Sequence, residues 1–295
     1  MNRRRFIKSG LIFVPTIFSA GVHGAVHLAA LELDVPLWMQ RVTANGGHYT
    51  SLSVVANDTV VKMARPIYSK LLRVNTYTGG DLAACVIPLV NVGLAMGDTK
   101  DTAQNFVSGD YSESTGLTGD GSSKYMSTGF VPITHWTSDN DCSYGAYLRT
   151  NTSDAGWILG INLASGATNE PRMVISLSGT LNAASLFSTV GGSDQTVATD
   201  TNGLGHYLAS RTASNSLILY RNGSNQASTT TPTGSRGSDV NVGFFVHARN
   251  NQAFPNFCSN RAFGGYHFCK GLSASEVAIL YSAIQAGQRV LGRQV

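Results

Sequence analysis

Charge is scarce in this sequence: Asp, Glu, Lys and Arg fill 13% of its 295 positions, against about 25% in ordinary soluble domains. That scarcity argues against a fold built from amphipathic helices. Glutamate is rarest, occurring only at Glu32, Glu113, Glu170 and Glu276. Glycoside hydrolysis needs two carboxylates flanking the scissile bond, and here the tightest acidic pair is Asp139 and Asp141, in a polar turn. No C-x-x-C spacing suggests zinc or dithiol redox chemistry. No G-x-S-x-G or H-E-x-x-H run offers a nucleophile elbow or a paired-histidine metal site. The formal charge of +4 is carried by Arg3, Arg4, Arg5 and Lys8. Without them the chain is neutral, which argues against a nucleic-acid partner.

Gly, Ser, Thr and Asn crowd the sequence instead, the composition of many short strands and turns. The first residues read as an address. Arg3-Arg4-Arg5-Phe6-Ile7-Lys8 is similar to a twin-arginine signal, an apolar stretch from Gly10 to Ala20 follows, and small residues suit cleavage near Gly24. The expectation is export to the periplasm or beyond, with a signal over 1–24 and no stable membrane span afterwards. Four cysteines, Cys85, Cys142, Cys258 and Cys269, would then meet an oxidising compartment. Cys258 and Cys269 are close enough to staple one loop; the alternative is four buried free thiols.

Periodicity divides the rest. Val54, Val55, Val60, Val61, Ala64, Ile67, Leu71 and Leu72 recur at three- and four-residue steps, predicting a helix over Ser51 to Val74 that Pro66 kinks or splits. A second apolar stretch runs from Leu82 to Val92, giving a helical region over 25–105. From Phe106 the pattern changes to strands, most plainly Tyr144–Thr150, Gly156–Asn162, Arg172–Ser178, Gly205–Arg211, Leu217–Arg221, Asn241–Val246 and Ala262–Phe268. Asn222-Gly223 tolerates positive φ and predicts a tight hairpin. Ser273-Ala274-Ser275-Glu276 is a capping box opening a C-terminal helix with the stripe Val277, Leu280, Tyr281, Ile284. The fold class is therefore all-β, a two-sheet antiparallel sandwich over 106–295 with a small helical N-terminal region and a short C-terminal helix.

Four blocks carry a family likeness: Gly116-Leu117-Thr118-Gly119-Asp120-Gly121-Ser122-Ser123-Lys124-Tyr125, Ser210-Arg211-Thr212, Leu219-Tyr220-Arg221-Asn222-Gly223, and Gly271 through Val277 with Leu280-Tyr281. In this order they resemble laminin-G-like members of the concanavalin A-like lectin/glucanase superfamily. The resemblance implies a jelly roll, in which these residues are framework. It leaves activity open, since that superfamily includes lectins, adhesion modules, hydrolases and lyases, and similar sequences occur in phage structural proteins. Its hydrolases carry an E-x-D-x-E strand and its lyases often an R-x-E-x-R strand, both absent here.

Three chemistries can still be placed on residues. A lyase would use His247 and Arg249, two apart on one strand face, with Tyr144 and Arg172. Calcium would find alternate oxygens at Asp139 and Asp141, whereas Asp120 reads as a turn carboxylate bonding its own backbone. A sugar ring needs an aromatic face flanked by planar polar groups. Trp136, Tyr144 and Trp157, with Arg149, Asn162, Arg172, Arg249 and Asn251, supply those types if the tryptophans are exposed and not core. The leading expectation is an exported, non-catalytic lectin-like module binding a glycan or surface polysaccharide, with no cofactor; calcium at Asp139 and Asp141 is the alternative to a plain solvated turn there. The alternatives are a structural or adhesion protein of a virion or envelope, working through self-association or another protein, and a lyase or hydrolase.

Overall fold

The computed structural model describes residues 34–92, 100–153, 155–162, 171–177, 181–187, 196–200, 202–230 and 242–295. The expected signal segment lies outside them. In chain order the elements are α1 (Asp34–Ala44), α2 (Ser51–Ala64), β1 (Leu71–Asn75), α3 (Leu82–Cys85), β2 (Val90–Asn91), β3 (Thr102–Gln104), β4 (Tyr111–Ser112), β5 (Gly116–Thr118), β6 (Tyr125–Ser127), α4 (Pro132–His135) and β7 (Cys142–Leu148). They continue with β8 (Leu159–Asn162), β9 (Arg172–Leu177), β10 (Leu181–Ser185), β11 (Thr196–Thr199), β12 (Gly205–Ala213), β13 (Ser216–Arg221), β14 (Ser224–Thr229), β15 (Phe245–Val246), β16 (Arg249–Asn251), β17 (Phe254–Asn256), β18 (Ala262–Cys269) and α5 (Ala274–Val290).

The strands form two sheets of nine. Sheet A runs β14-β13-β12-β7-β18-β1-β2, with β4 and β5 attached beside β18, and sheet B runs β11-β10-β9-β8-β15-β6-β3, with β16 and β17 attached beside β8. Among the described residues every strand pairing is antiparallel except β16 with β8, so the expected sandwich is what the chain builds. Asn222 and Gly223 both take positive φ, 50° and 79°, in the expected hairpin between β13 and β14.

The N-terminal expectation needs correcting in one respect. Helix α2 stops at Ala64 because Pro66 opens a 3₁₀ segment over Arg65–Lys70, from which the chain leaves as β1. Strand β1 pairs with β18 and β2 inside sheet A, and β3 pairs with β6 in sheet B. The stretch 25–105, expected to be helical, thus contributes strands to both sheets. Helices α2 and α5 each open on a capping box, Thr50 with Ser53 and Ser273 with Glu276. They pack so closely that a Cβ at Gly287 would lie 2.6 Å from Val60 Cγ2. Among the described residues no helix is long and apolar enough to cross a membrane.

Between the sheets, Phe130 stacks on Phe268 at 4.3 Å, and Trp136 stands perpendicular to Phe187 and Phe244. At the β1 side of sheet A lies a buried polar network. Arg73 Nη2 bonds Asp101 Oδ1 at 2.5 Å with both side chains fully buried, while Tyr266 Oη and Asn75 Nδ2 donate to the same carboxylate at 2.7 Å. Arg293, also buried, donates to the carbonyls of Thr76, Tyr77, Glu113 and Gly264. It ties the end of the chain to the turn after β1.

All four cysteines are free and buried, which overturns the Cys258–Cys269 staple in favour of the free-thiol alternative. The separation is topological. Cys269 ends β18 in sheet A opposite Leu71 and Ser143, whereas Cys258 packs with Phe245 and Ala248 beside sheet B.

Candidate functional site

The residues nominated for ligand contact divide into two groups. Trp136 is 1% exposed and donates from Nε1 to Cys269 O at 2.8 Å. Tyr144 is fully buried, its hydroxyl bonding Arg172 O and Ser185 O and so stitching sheet A to sheet B. Neither offers a ring face to a ligand, and the expectation that they do is corrected. Arg149, at the end of β7, donates to Ser114 O at 2.7 Å beside β4 and β5. No described contact joins it to the other candidates.

His247 and Arg249 do not share a strand face. His247 takes φ of 66°, between β15, which pairs antiparallel with β8, and β16, which pairs parallel with it. The reversal turns His247 into the interior against Phe263, Phe106 and Tyr77, at ring separations of 3.7, 5.4 and 6.1 Å. Burial pushes its pKa down to about 3. The lyase arrangement expected from two-residue spacing is therefore absent at these residues.

The second group is brought together by strand register. In β8, Leu159 and Ile161 point into the main core, so Gly160 and Asn162 face outward. Gly160 pairs with Arg172 of β9 on one side and Arg249 of β16 on the other. Over it lies the Trp157 indole: a Cβ at Gly160 would sit 2.5 Å from Trp157 Cε3. The two guanidinium carbons therefore lie 5.6 Å (Arg172) and 4.9 Å (Arg249) from the indole centroid, within cation–π range. Trp157 is itself buried, 5% exposed, in a small apolar cluster with Val174 and Ala183 separate from the main core, so its expected exposure is corrected too and the indole backs the surface without forming it. Asn162 and Asn251, the next outward pair, share an amide hydrogen bond of 2.5 Å.

Phe257, not singled out from the sequence, completes the cluster. Its ring is nearly parallel to the indole (11°) and 4.8 Å from the Arg249 guanidinium, and it is 47% exposed. Phe254, at the tip of the β16–β17 hairpin, is 73% exposed. That hairpin turns through Gln252 and Ala253 at φ of 53° and 76°, where Asn-Gly is the favoured pair. The buried Asn250 amide holds the turn, accepting from Ala253 N and donating to Gly243 O, each at 2.7 Å. The available sequence signal was the run Phe254-Pro255-Asn256-Phe257, two aromatics in an otherwise polar stretch.

The carboxylates are mostly occupied elsewhere. Glu113 accepts from Thr50, Glu276 from Ser273 and Lys70, Asp110 from Lys124, and Asp200 from Arg221. Partial burial pushes the Asp120 carboxyl up, but Ser123 and the amides of Ser122, Ser123 and Lys124 outweigh this and hold it below the ordinary range. Asp120 thus caps its own turn, as its spacing suggested. Asp141 Oδ1 accepts from Gly271 N at 2.8 Å. Among the described residues no group of three or more His, Cys, Asp or Glu could hold a metal ion. Asp139 and Asp141 alone fall short of the six to eight oxygens calcium takes. Thermal denaturation is therefore expected to be the same in calcium and in chelator; a rise of several degrees with calcium would show a site these residues do not explain.

No family model matches the chain, and no curated protein does. Solved structures give weak superpositions. The NanB sialidase from Streptococcus pneumoniae is 12% identical over 47% of this chain and 23% of that one, with a TM-score of 0.34. A botulinum neurotoxin type C structure, described by its interaction with two ganglioside molecules, is 11% identical over 57% and 42%, with a TM-score of 0.38. The Ruminococcus gnavus sialidase module CBM40, bound to α2,3-sialyllactose, is 12% identical over 47% and 80%, with a TM-score of 0.36. This chain spans less than half the length of the first two. Likeness at this level carries no argument about ligand or activity.

Proposed function

We propose that this chain is a non-catalytic module that binds a glycan or a polysaccharide surface through the outer face of sheet B. The observation carrying this reading is the placement of the Arg249 guanidinium against both the Trp157 indole and the half-exposed Phe257 ring, with the Asn162–Asn251 amide pair alongside. Exposed aromatic surface serves the apolar face of a sugar, and adjacent planar donors and acceptors serve its hydroxyls. The structural employment of Glu113, Glu276, Asp110 and Asp200 favours binding over hydrolysis. The twin-arginine-like start, outside the described residues, favours export.

The test is binding of the full chain to an array of bacterial, algal and host glycans, with product analysis on every hit. Phe257→Ala and Arg249→Ala are each expected to weaken binding by about 30-fold, the scale of a central anchor. Melting temperature should stay within a few degrees, since Phe257 is at the surface. Binding that survives both substitutions would move the site elsewhere, and shortened or unsaturated products would sink the non-catalytic reading.

A second reading, a structural or adhesion protein, has its own observation. Leu52, Val55 and Met63 leave an exposed apolar stripe on α2, and Leu37 of α1 is exposed as well. A groove of about 590 Å³ opens beside α1, lined by Pro36, Met39, Gln40, Thr43, Ala44 and Tyr49. Apolar surface of this kind marks protein contacts. Concentration-dependent self-association abolished by Val55→Glu would favour that reading.

A further inference from the structure

Two histidines are buried together beneath the C-terminal helix. His206 of β12 and His267 of β18 flank β7, and their Nε2 atoms lie 2.7 Å apart. They can meet because β7 carries Gly145 between them: a Cβ there would lie 2.6 Å from His267 Cε1 and 2.2 Å from Tyr207 O. Tyr281 of α5 stacks on His206 at 6.0 Å. A cavity of about 10 Å³, enough for one water, is lined by both imidazoles, Thr76, Gly264, Ile284 and Gln288. His206 Nδ1 is buried with no hydrogen-bond partner.

Among the described residues lining this cavity there is no carboxylate to balance a positive charge. Helix α5 presents Tyr281, Ile284 and Gln288, the end of β1 presents Asn75 and Thr76, β7 presents Tyr147, and β18 presents Tyr266 and Cys269, with Cys269 Sγ 3.9 Å from His267 Nδ1. The Asn222 side chain bonds the His206 backbone amide. At the cavity wall a cation, Arg293, is bound to the Thr76 and Gly264 carbonyls. A neutral pair shares one N–H between two nitrogens; two imidazolium rings would set N–H against N–H at that distance.

We propose that the His206–His267 pair is an acid-operated latch, which holds α5 against sheet A when neutral and releases the helix when protonated, while the sheets stay paired. The pair lies on the helix-covered face of sheet A, apart from the Phe130–Trp136–Phe268 interior, so it can open without separating the sheets. Burial pushes the His206 pKa down to about 3, and burial together with the neighbouring His206 holds His267 well below its ordinary range. With an ordinary pKa of about 6.5 in the opened state, acidification to pH 5 multiplies the opening equilibrium about 30-fold for each imidazole.

Hydrogen exchange of the full chain between pH 7.5 and 5, corrected for intrinsic rates, is the test. The α5 amides are expected to lose protection by at least about 30-fold, while those of β7 and β9 change far less. His206→Asn/His267→Asn should abolish that response. His247→Phe, which leaves the pair intact, should retain it and serves if the double variant does not fold. Equal loss in α5 and β7, no loss in α5, or a response that persists without the pair would each overturn the latch.

Discussion

Asp101→Asn is expected to lower the free energy of unfolding by about 3–5 kcal/mol, the cost of stranding one partner of a buried ion pair. The substitution keeps the volume and removes the charge that Arg73 faces with both side chains wholly out of solvent. The Tyr266 hydroxyl and the Asn75 amide, which now donate to the carboxylate, would meet an amide able to accept from fewer of them. The loss should be cooperative, because the network joins β1 and β18 of sheet A to the residue just before β3 of sheet B. Asp58→Asn supplies the contrast. Its exposed i,i+4 pair with Lys62 is worth only about 0.3–0.5 kcal/mol. Urea titrations of the two variants should differ in midpoint with little change in slope. Replacing Arg73 and Asp101 together by Met and Leu should recover much of the loss, since a buried pair often stabilises less than an apolar substitute. A cost for Asp101→Asn under about 1 kcal/mol would mean that the stranded arginine finds solvent or another partner.

What could be read in the sequence was local. The Ser273–Glu276 capping box, the Asn222-Gly223 turn and the strands around Tyr144, Gly205 and Ala262 are set by chemistry within a few residues, and they stand where that chemistry puts them. Strand β1 was obscured because Leu71 and Leu72 continue the apolar step of α2, and only Pro66 marks the break. The chemistry at a distance was not legible. Arg73 and Asp101 are ordinary charged residues until the fold buries them, and His206 and His267 stand 61 positions apart until β7 sets them on either side of Gly145. The candidate site was legible in residue type but not in membership. Trp157, Arg172, Arg249, Asn162 and Asn251 meet because β8 pairs with β9 on one edge and β16 on the other. Trp136, Tyr144 and Trp157 are all buried, and the exposed ring of the cluster is Phe257, because nothing in a flank states which face of a sheet a ring takes. His247 departs from two-residue alternation with Arg249 because its left-handed backbone interrupts the strand.

That residue gives the other large effect. His247 is wholly buried among aromatic rings with neither ring nitrogen hydrogen-bonded, and burial alone depresses its pKa to about 3. Between there and the ordinary value of about 6.5, the unfolded chain binds a proton that the folded one refuses. Stability is therefore complete above pH 6.5 and falls as pH drops, by about 1.4 kcal/mol per unit for this one group. From pH 7 to pH 4.5 the loss amounts to about 2.7 kcal/mol. His247→Phe keeps the ring contacts with Phe263 and Phe106 and removes the titration. At pH 7 the variant should lie within about 1 kcal/mol of wild type, because relief of the unsatisfied imidazole is offset by a larger ring and by the same left-handed backbone. At pH 4.5 it should be the more stable by about 2–3 kcal/mol, read from urea midpoints at the two pH values. Parallel pH profiles would mean that the imidazole reaches solvent or a partner. His206 and His267 add to the wild-type acid limb only while α5 stays closed over them. A limb steeper than one histidine explains would therefore place helix release at or below the pH of unfolding, whereas a one-histidine slope would place it above.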